Sequence, residues 1–441
     1  MVNPKACIVA LSFLAAILAV APAVQAADQA YSLSPKVKDT YSAITAQPAV
    51  KKGLDFIKAD HNGTVAEQKQ INSIPSPPFK EQKRAADYLK RLSASGLTNV
   101  AMDKEGNVCG TMQGTGKRPK LLVAAHMDTV FPEGTNLALT EKNGVLHAPG
   151  IADNARGLAS LLGVVRAFRI AGIKPVGDIM FCGNVGEEGL GDLRGVKALF
   201  RDNKDIDGFI AIDGTEAEGI VYLATGSHRY EVTYKGPGGH SFQRFGLPSA
   251  IHAMGRAIAR IADLETPKKP KTTFTVGTVK GGTSVNSIAA EASMLMDMRS
   301  DSETELLAFE AKFLDIVKKA AAEENTRWGS DKITVDIKLV GNRPAGTQPS
   351  DAVIVQTSWA ATNAVGLSPK LKGASSTDTN QPLSLGIPAV TLASGGTEQG
   401  NHSVSESWDP ANAWLGPQRI FLAIIGLAGM DGVSAPLLPK R

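Results

Sequence analysis

The chain has 441 residues, room for more than one domain with a full core, and is 43% apolar and 20% charged, the balance of an ordinary globular protein. Its formal charge of +4 comes with no basic run and with only 5% aromatic residues. That excludes the electrostatic footprint and the stacking platform of a nucleic-acid binder.

At the N-terminus, Lys5 precedes an apolar run from Ala6 to Val20, then APAVQAA and a polar Asp28. A positive start, an apolar stretch and small residues predict a secretory signal peptide over residues 1–26. Pro22 and the small residues favour cleavage near Ala26 or Ala27 over a membrane anchor. No Cys for lipid attachment lies at that junction. The expected product is soluble and secreted, periplasmic in a Gram-negative cell, and no other stretch is long and apolar enough to span a bilayer. Two cysteines follow the leader, Cys109 and Cys182, both in apolar strand-like contexts. They could pair in an oxidising compartment, but buried free thiols are the expectation.

Residues 28–50 read as an irregular lead-in, Ala49 to Ile71 as a helix and its neighbour, and IPSPPFK as a Pro-rich loop. EQKRAADYLKRLSASGL, from Glu81, carries apolar residues at helical spacing and ends at Gly96. After a strand pair through Val108 comes LLVAA at 121–125, a buried strand. A helix from Asn154 to Gly172, the strand GDIMFCG, a helix from Leu190 to Phe200 and the strand DGFIAID follow. This alternation predicts an α/β fold with a mostly parallel sheet flanked by helices. The texture changes over residues 226–341, where strand, helix, two strands, helix and strand describe an inserted ferredoxin-like α+β domain. The α/β part thus comprises residues 27–225 and 342–441, the second piece with a helix at Ser350 to Ala364, the strand IPAVTLA and a last helix from Ala413.

Polar groups collect where strands and loops end, the place where open α/β sheets bind ligands. The 121–125 strand runs into His126 and Asp128, two residues apart on one side of an extended chain. A metal-ligating imidazole needs an acceptor on its second nitrogen, and Asp128 can supply one. Asp153 lies in PGIADNARG, Glu187 and Glu188 in GNVGEEGLGD, Asp213 at the end of DGFIAID, and His402 in GGTEQGNHSVSE. Singly these suit a helix cap, an acidic turn, a turn residue and a surface His. Together, two imidazoles and three carboxylates arriving from separate segments are the donors that a pair of zinc ions requires. The remaining carboxylate is then free to take a proton from the water between the metals.

The ordered set HMD (126–128), GIADNARG (150–157), GEEGLGD (186–192), AID (211–213), PGGHS (237–241), SVNSI (284–288), DMR (297–299) and GNHSVSE resembles a known family. It is that of the dinuclear zinc metallopeptidases, which includes peptidase T, glutamate carboxypeptidases and aminoacylases. The resemblance runs from about residue 50 to the C-terminus. It implies a zinc-exopeptidase-like sheet, with residues 226–341 as a lid and dimerisation domain. It also implies two Zn²⁺ ions, one held by His126, Asp153 and Asp213 and the other by Asp153, Glu188 and His402, with a cis peptide after the bridging Asp153. Cobalt and manganese tolerate the same donors. Asp128 would orient His126, and Glu187 would be the general base and later the acid. His240 would donate to the oxyanion, often across a homodimer. Asn286 and Arg299 would grip a substrate carboxylate or backbone; for Arg299 an ion pair with Asp297 or Asp301 is the open alternative. Arg343 in GNRPAG is a secondary cleft candidate, and His228 and His252 read as ordinary surface or helix residues. Asp at 213 resembles the aminopeptidase, tripeptidase and dipeptidase members, so the expected substrate is a small peptide, with an N-acyl amino acid as the alternative.

Overall fold

The apolar run at 121–125 becomes the centre of a ten-residue strand, Lys117–His126, in which Leu121 to Ala125 are sealed from solvent. The computed structural model describes residues 31–441, so the leader expected over residues 1–26, Cys7 included, lies outside the described residues. A strand buried on both faces needs a neighbour on each side and helices above and below. Here Gly177–Asn184 and Gly208–Ile212 pair with it in parallel, and Ala389–Leu392 pairs in parallel with the latter. Antiparallel Val108–Met112 and Thr98–Met102 extend one side, and Gly219–Val221 with Lys370–Lys372 the other, giving eight strands. Alternation assigns the faces. Leu122 and Ala124 pack with Val196, Leu199 and Phe200 of the helix Arg194–Asp202. On helices elsewhere in the core, Phe168 of Ala155–Ala171 meets Phe421 of Leu415–Ala428 edge to face, 4.8 Å between centroids. The fold is therefore the α/β class that the strand–helix alternation predicts.

Residues 226–343 carry a separate four-stranded antiparallel sheet, in the order Thr272–Gly281, Glu291–Ser300, Gly226–Lys235 and Thr334–Arg343. Its two central strands alternate in burial. Tyr230, Val232 and Tyr234 join Met294, Met296 and Met298 beneath the helices Ala250–Ala262 and Glu303–Arg327. Period-2 geometry then turns Arg229, Asp297 and Arg299 to the opposite face. A small third sheet, Thr397–Gln399, Ser407–Asp409, Val145–His147 and Thr140–Lys142, was not anticipated; its three-residue strands are too short to show a period.

Three readings need correction. The lead-in at 28–50 is helical, with Pro35–Thr45 and Pro48–Ala59 each opening on a proline, which suits the first turn because its missing N–H would be unpaired there anyway. Val37, Tyr41 and Ile44 form its buried face. The helix expected from Leu190 begins at Arg194, after a 3₁₀ turn over Gly189–Gly191, because Asp192 and Leu193 take positive φ. Cys109 and Cys182 are not free thiols. They are direct cross-strand partners with Cα atoms 4.2 Å apart, and they form a disulfide. Among the described residues no helix is long and apolar enough to cross a membrane.

The bridge closes a loop across 73 residues of sequence. Replacing both cysteines by Ser is expected to lower the unfolding free energy by about 2–4 kcal/mol, measured by denaturant titration. A chain lacking residues 1–26 should show no thiol reactivity when unfolded until a reductant is added.

Candidate metal centre

Three parallel strands end side by side, and their carboxyl ends deliver most of the site. His126 is the last residue of its strand, Asp213 follows Gly208–Ile212, and Glu187 and Glu188 follow Gly177–Asn184. Asp153 comes from the loop before the helix Ala155–Ala171, joined to Asn154 by a cis peptide. Asn154 caps that helix through Gly157 N–H at 3.0 Å and donates to the Ile212 carbonyl at 2.8 Å, tying the Asp153 loop to the Asp213 strand. Any side chain at Gly157 would put its Cβ 2.0 Å from the cap oxygen.

Asp153 sits at the centre. Its Oδ1 lies 3.0 Å from His126 Nε2, and its Oδ2 lies 3.1 Å from His402 Nε2. His402 Nε2 is also 3.2 Å from Glu188 Oε1. One ligand atom each from His126, Asp153 and Asp213 lies within 4.8 Å of the others, and the same holds for Asp153, Glu188 and His402. These are the five residues that the resemblance assigns to two metals, with Asp153 in both groups.

The donor set fits a pair of cations on a further observation. Asp153 Oδ1 is buried and accepts no hydrogen bond despite its closeness to His126 Nε2. The two atoms converge without donor geometry, as two lone pairs aimed at one point do. Electrostatics agree. Burial, with Glu187 and Asp153 nearby, pushes the Glu188 carboxyl up to about 8. Burial and the neighbouring acids push Asp213 up to about 7. Hydrogen bonds to Asp153 and Glu188 raise His402 to about 10. For Asp153 burial acts upward, but His126 and His402 outweigh it and hold the carboxyl well below its usual range. Burial and close neighbours thus favour protons on Glu188, Asp213 and His402, which a bound cation would displace.

The positioning groups differ from expectation in one respect. His126 Nδ1 bonds the backbone carbonyl of Asp128 at 3.0 Å, while the nearer carboxylate oxygen is 3.6 Å away. The Asp128 carboxylate instead accepts the backbone N–H groups of Glu187, at 3.0 Å, and Glu188, at 2.7 Å. It holds the turn that carries the candidate base and a ligand. Sequence reasoning passed over Glu406, the last residue of the GNHSVSE motif. This buried carboxylate accepts from Gly150, Ala152 and Asp153 N–H at 2.9, 2.8 and 3.2 Å, and so clamps the Asp153 loop. It also passed over Asp378, a buried acid that accepts from Asn184 Nδ2 at 2.8 Å and that burial and Glu187 push up to about 8. Asp378 lies in a hydroxyl-rich loop with no period to betray it.

A cleft of ≈ 520 Å³ opens over these groups, and its far wall is cationic: Arg229, Arg299 and Arg343. Arg343, only a secondary candidate from sequence, is buried, donates to Glu187 Oε1 at 3.1 Å and to its carbonyl, and reaches Ser376 Oγ at 3.1 Å. Both readings of Arg299 hold, since it pairs with Asp297 at 2.9 Å and lines the cleft. His240 and Asn286 lie together but not there. They line another cavity, of ≈ 540 Å³, where the Gly239–His240 bridge pairs with Ser287–Ile288. His228 is no surface residue: strand alternation turns it inward, where its Nδ1 meets Glu310 at 2.9 Å. His252 is exposed on its helix.

A model of Peptidase family M20/M25/M40 matches residues 122–422. The structure of aminopeptidase PepT from Bacillus cereus ATCC 10987 aligns with a TM-score of 0.66 at 24% identity, covering 82% of this chain and 98% of that one. A tripeptidase from Staphylococcus aureus subsp. aureus mu50 aligns with a TM-score of 0.68 at 23% identity, covering 82% and 97%. At such identities the likeness is one of fold. Carboxypeptidase G2 from Pseudomonas sp. (strain RS-16) is 25% identical over 264 residues, 58% of this chain and 61% of that protein. The aligned stretches span from 44% to 68% of the first curated relatives.

Glu406→Gln would remove charge from the clamp on the Asp153 loop. It is expected to weaken metal binding about 10- to 100-fold, read by titrating the metal-free protein with zinc and following bound metal per chain. Unchanged affinity would mean that the loop holds its shape unaided.

Proposed function

Since the chain belongs to Peptidase family M20/M25/M40, we propose that it is a secreted, zinc-dependent exopeptidase of the aminopeptidase, tripeptidase or dipeptidase type. The observation that carries this reading is the convergence of His126, Asp153, Glu188, Asp213 and His402 beneath Glu187 at one end of the cleft. His126, Asp153 and Asp213 would hold one ion, and Asp153, Glu188 and His402 the second. Such a pair, when bound, supplies a water of lowered pKa and a Lewis acid toward the scissile carbonyl. Imidazole and carboxylate donors suit zinc, with cobalt or manganese as substitutes.

The chain's own groups do the rest. Glu187 takes the proton of the attacking water on its carboxylate and returns it to the leaving amine. Arg343 fixes that carboxylate from one side, while Asp128 fixes the backbone beneath it. The guanidinium wall suits the carboxylate of a small peptide, since fork-shaped donors grip a carboxylate in two bonds. Asp at 213 supports a peptidase acting at the amino end. An N-acyl-amino-acid amidohydrolase or a carboxypeptidase would use the same groups on a different amide.

The leader pattern at 1–26 and the Cys109–Cys182 bridge support export, because disulfides persist in oxidising compartments. A homodimer through residues 226–341 is supported by two features of that region. Thr272–Gly281 is an open sheet edge, and His240 and Asn286 lie outside their own chain's cleft, where a second copy could use them.

Glu187→Gln is expected to lower kcat by about 10²- to 10⁴-fold while leaving the metal content per chain as in the wild type. A chelator should abolish hydrolysis and added zinc restore it. Free di- and tripeptides set beside N-acetylated amino acids decide the type of amide; turnover of the acetylated set alone would overturn the peptidase reading.

A further inference from the structure

The turn that carries Glu187 is held by more than the Asp128 carboxylate. Residues 186–193 fold back on themselves: a Cβ at Gly191 would stand 2.6 Å from the Gly186 Cα, and the Gly191 N–H donates to the Glu188 carbonyl at 2.8 Å. A 3₁₀ turn over Gly189–Gly191 lies between the two ends, and Asp192 and Leu193 close the segment at positive φ. With its ends in contact the turn has little room to bend, so a displacement at Asp192 is passed on to Glu187.

The antiparallel sheet reaches this turn along its Thr334–Arg343 strand, which is an edge. An edge strand carries backbone groups with no neighbouring strand to pair them. At Asn342 two side chains supply the missing partners. Asp192 Oδ1 accepts the Asn342 N–H at 2.8 Å, and the Lys197 ammonium donates to the Asn342 carbonyl at 2.7 Å. Lys197 also bonds Asp192 Oδ2 at 2.6 Å, so a linked carboxylate and ammonium take the place of a further strand. Next to Asn342, Arg343 reaches Glu187, and Arg229 of the adjacent strand donates to the Gly189 carbonyl. Gly341 leaves room for that arginine, since a Cβ there would stand 3.1 Å from Arg229 Cδ. Glu187, Gly189 and Asp192 are thus each bonded to the antiparallel sheet.

We propose that Asp192 and Lys197 are positioning residues: by seating the edge of the antiparallel sheet on the 187–192 turn, they make the placement of that sheet set where Glu187 stands. The proposal rests on the hydrolase reading above, in which Glu187 is the base. Neither Asp192 nor Lys197 lines the cleft. Loss of the seating therefore slows the proton transfer, which depends on the position of the Glu187 carboxylate, and leaves substrate binding as it was.

The metal-loaded full chain is assayed on Ala-Ala-Ala and on N-acetylalanine, well below its thermal unfolding. Asp192→Gly, which suits the left-handed backbone, and Lys197→Met are each expected to lower kcat on the order of tenfold to a hundredfold, with KM and metal content as in the wild type. Asp192→Asn keeps an acceptor for the Asn342 N–H and tolerates the same backbone, so it should recover most of the loss. Hydrogen exchange read by mass spectrometry should quicken over residues 186–192 in Asp192→Gly and Lys197→Met. Arg260→Met removes an ion pair with Glu323 that does not touch the turn, and it should leave kcat unchanged. Wild-type kcat in both Asp192→Gly and Lys197→Met, or a loss carried by KM alone, would overturn the proposal. An equal loss in Arg260→Met would overturn it too, by showing a general loosening. If the wild type cleaves neither substrate while exchange over 186–192 still quickens in the two variants, the hydrolase reading fails and the seating of the sheet on the turn stands.

Discussion

The crowding of charge around Asp153 is the constraint on which the site depends. His126 and His402 each reach one of its two oxygens, and Asp153 and Glu187 stand close enough to raise the proton affinity of Glu188 and Asp213. Such a group of acids does not remain buried by itself, because burial and mutual repulsion both oppose ionisation. The scaffold supplies the restraint. Glu406 ties down the loop before Asp153, Asn154 ties that loop to the neighbouring strand, and Asp128 ties down the turn of Glu187 and Glu188. Each tie is a carboxylate or amide bonded to backbone, so the ligands are set by groups that need not themselves touch a metal.

The cleft joins two sheets of different construction. The parallel sheet presents its strand ends, where loops bring acids and imidazoles into the open. The antiparallel sheet presents the outward half of an alternating pattern, and on that half stand Arg229, Asp297 and Arg299. One wall thus gathers carboxylates and the other guanidiniums, with Arg343 crossing between them to hold Glu187. A molecule lying between the walls meets carboxylates and imidazoles on one side and guanidiniums on the other.

Much of this was readable in the residues, and the omissions have physical causes. The strand ending at His126, the long helix after Asn154 and the alternation of GSHRYEVTYK are periodic, and period survives translation into structure. The helices over Pro35–Thr45 and Pro48–Ala59 were missed because proline, which opened them, also punctuates loops. The disulfide was missed because Cys109 and Cys182 are neighbours only through the register of two strands 73 residues apart. Asp128 meets His126 through its backbone carbonyl, while its carboxylate, 3.6 Å from the ring, accepts the Glu187 and Glu188 N–H groups. Whether its carbonyl or its carboxylate faces His126 is decided by backbone geometry and not by residue type.

The amino-acid sequence alone determined the inventory: which imidazoles and carboxylates stand at strand and loop ends, and that an alternating α/β chain would bring those ends to one edge. Those are properties of residue type and local period, which each segment carries with it. Tertiary structure alone decided who stands beside whom: Glu406 under the Asp153 loop, Arg343 on Glu187, three arginines from three strands on one wall, and His240 and Asn286 away from their own cleft. Contacts between distant segments follow from sheet order, strand register and loop course, and these emerge only when the whole chain is packed.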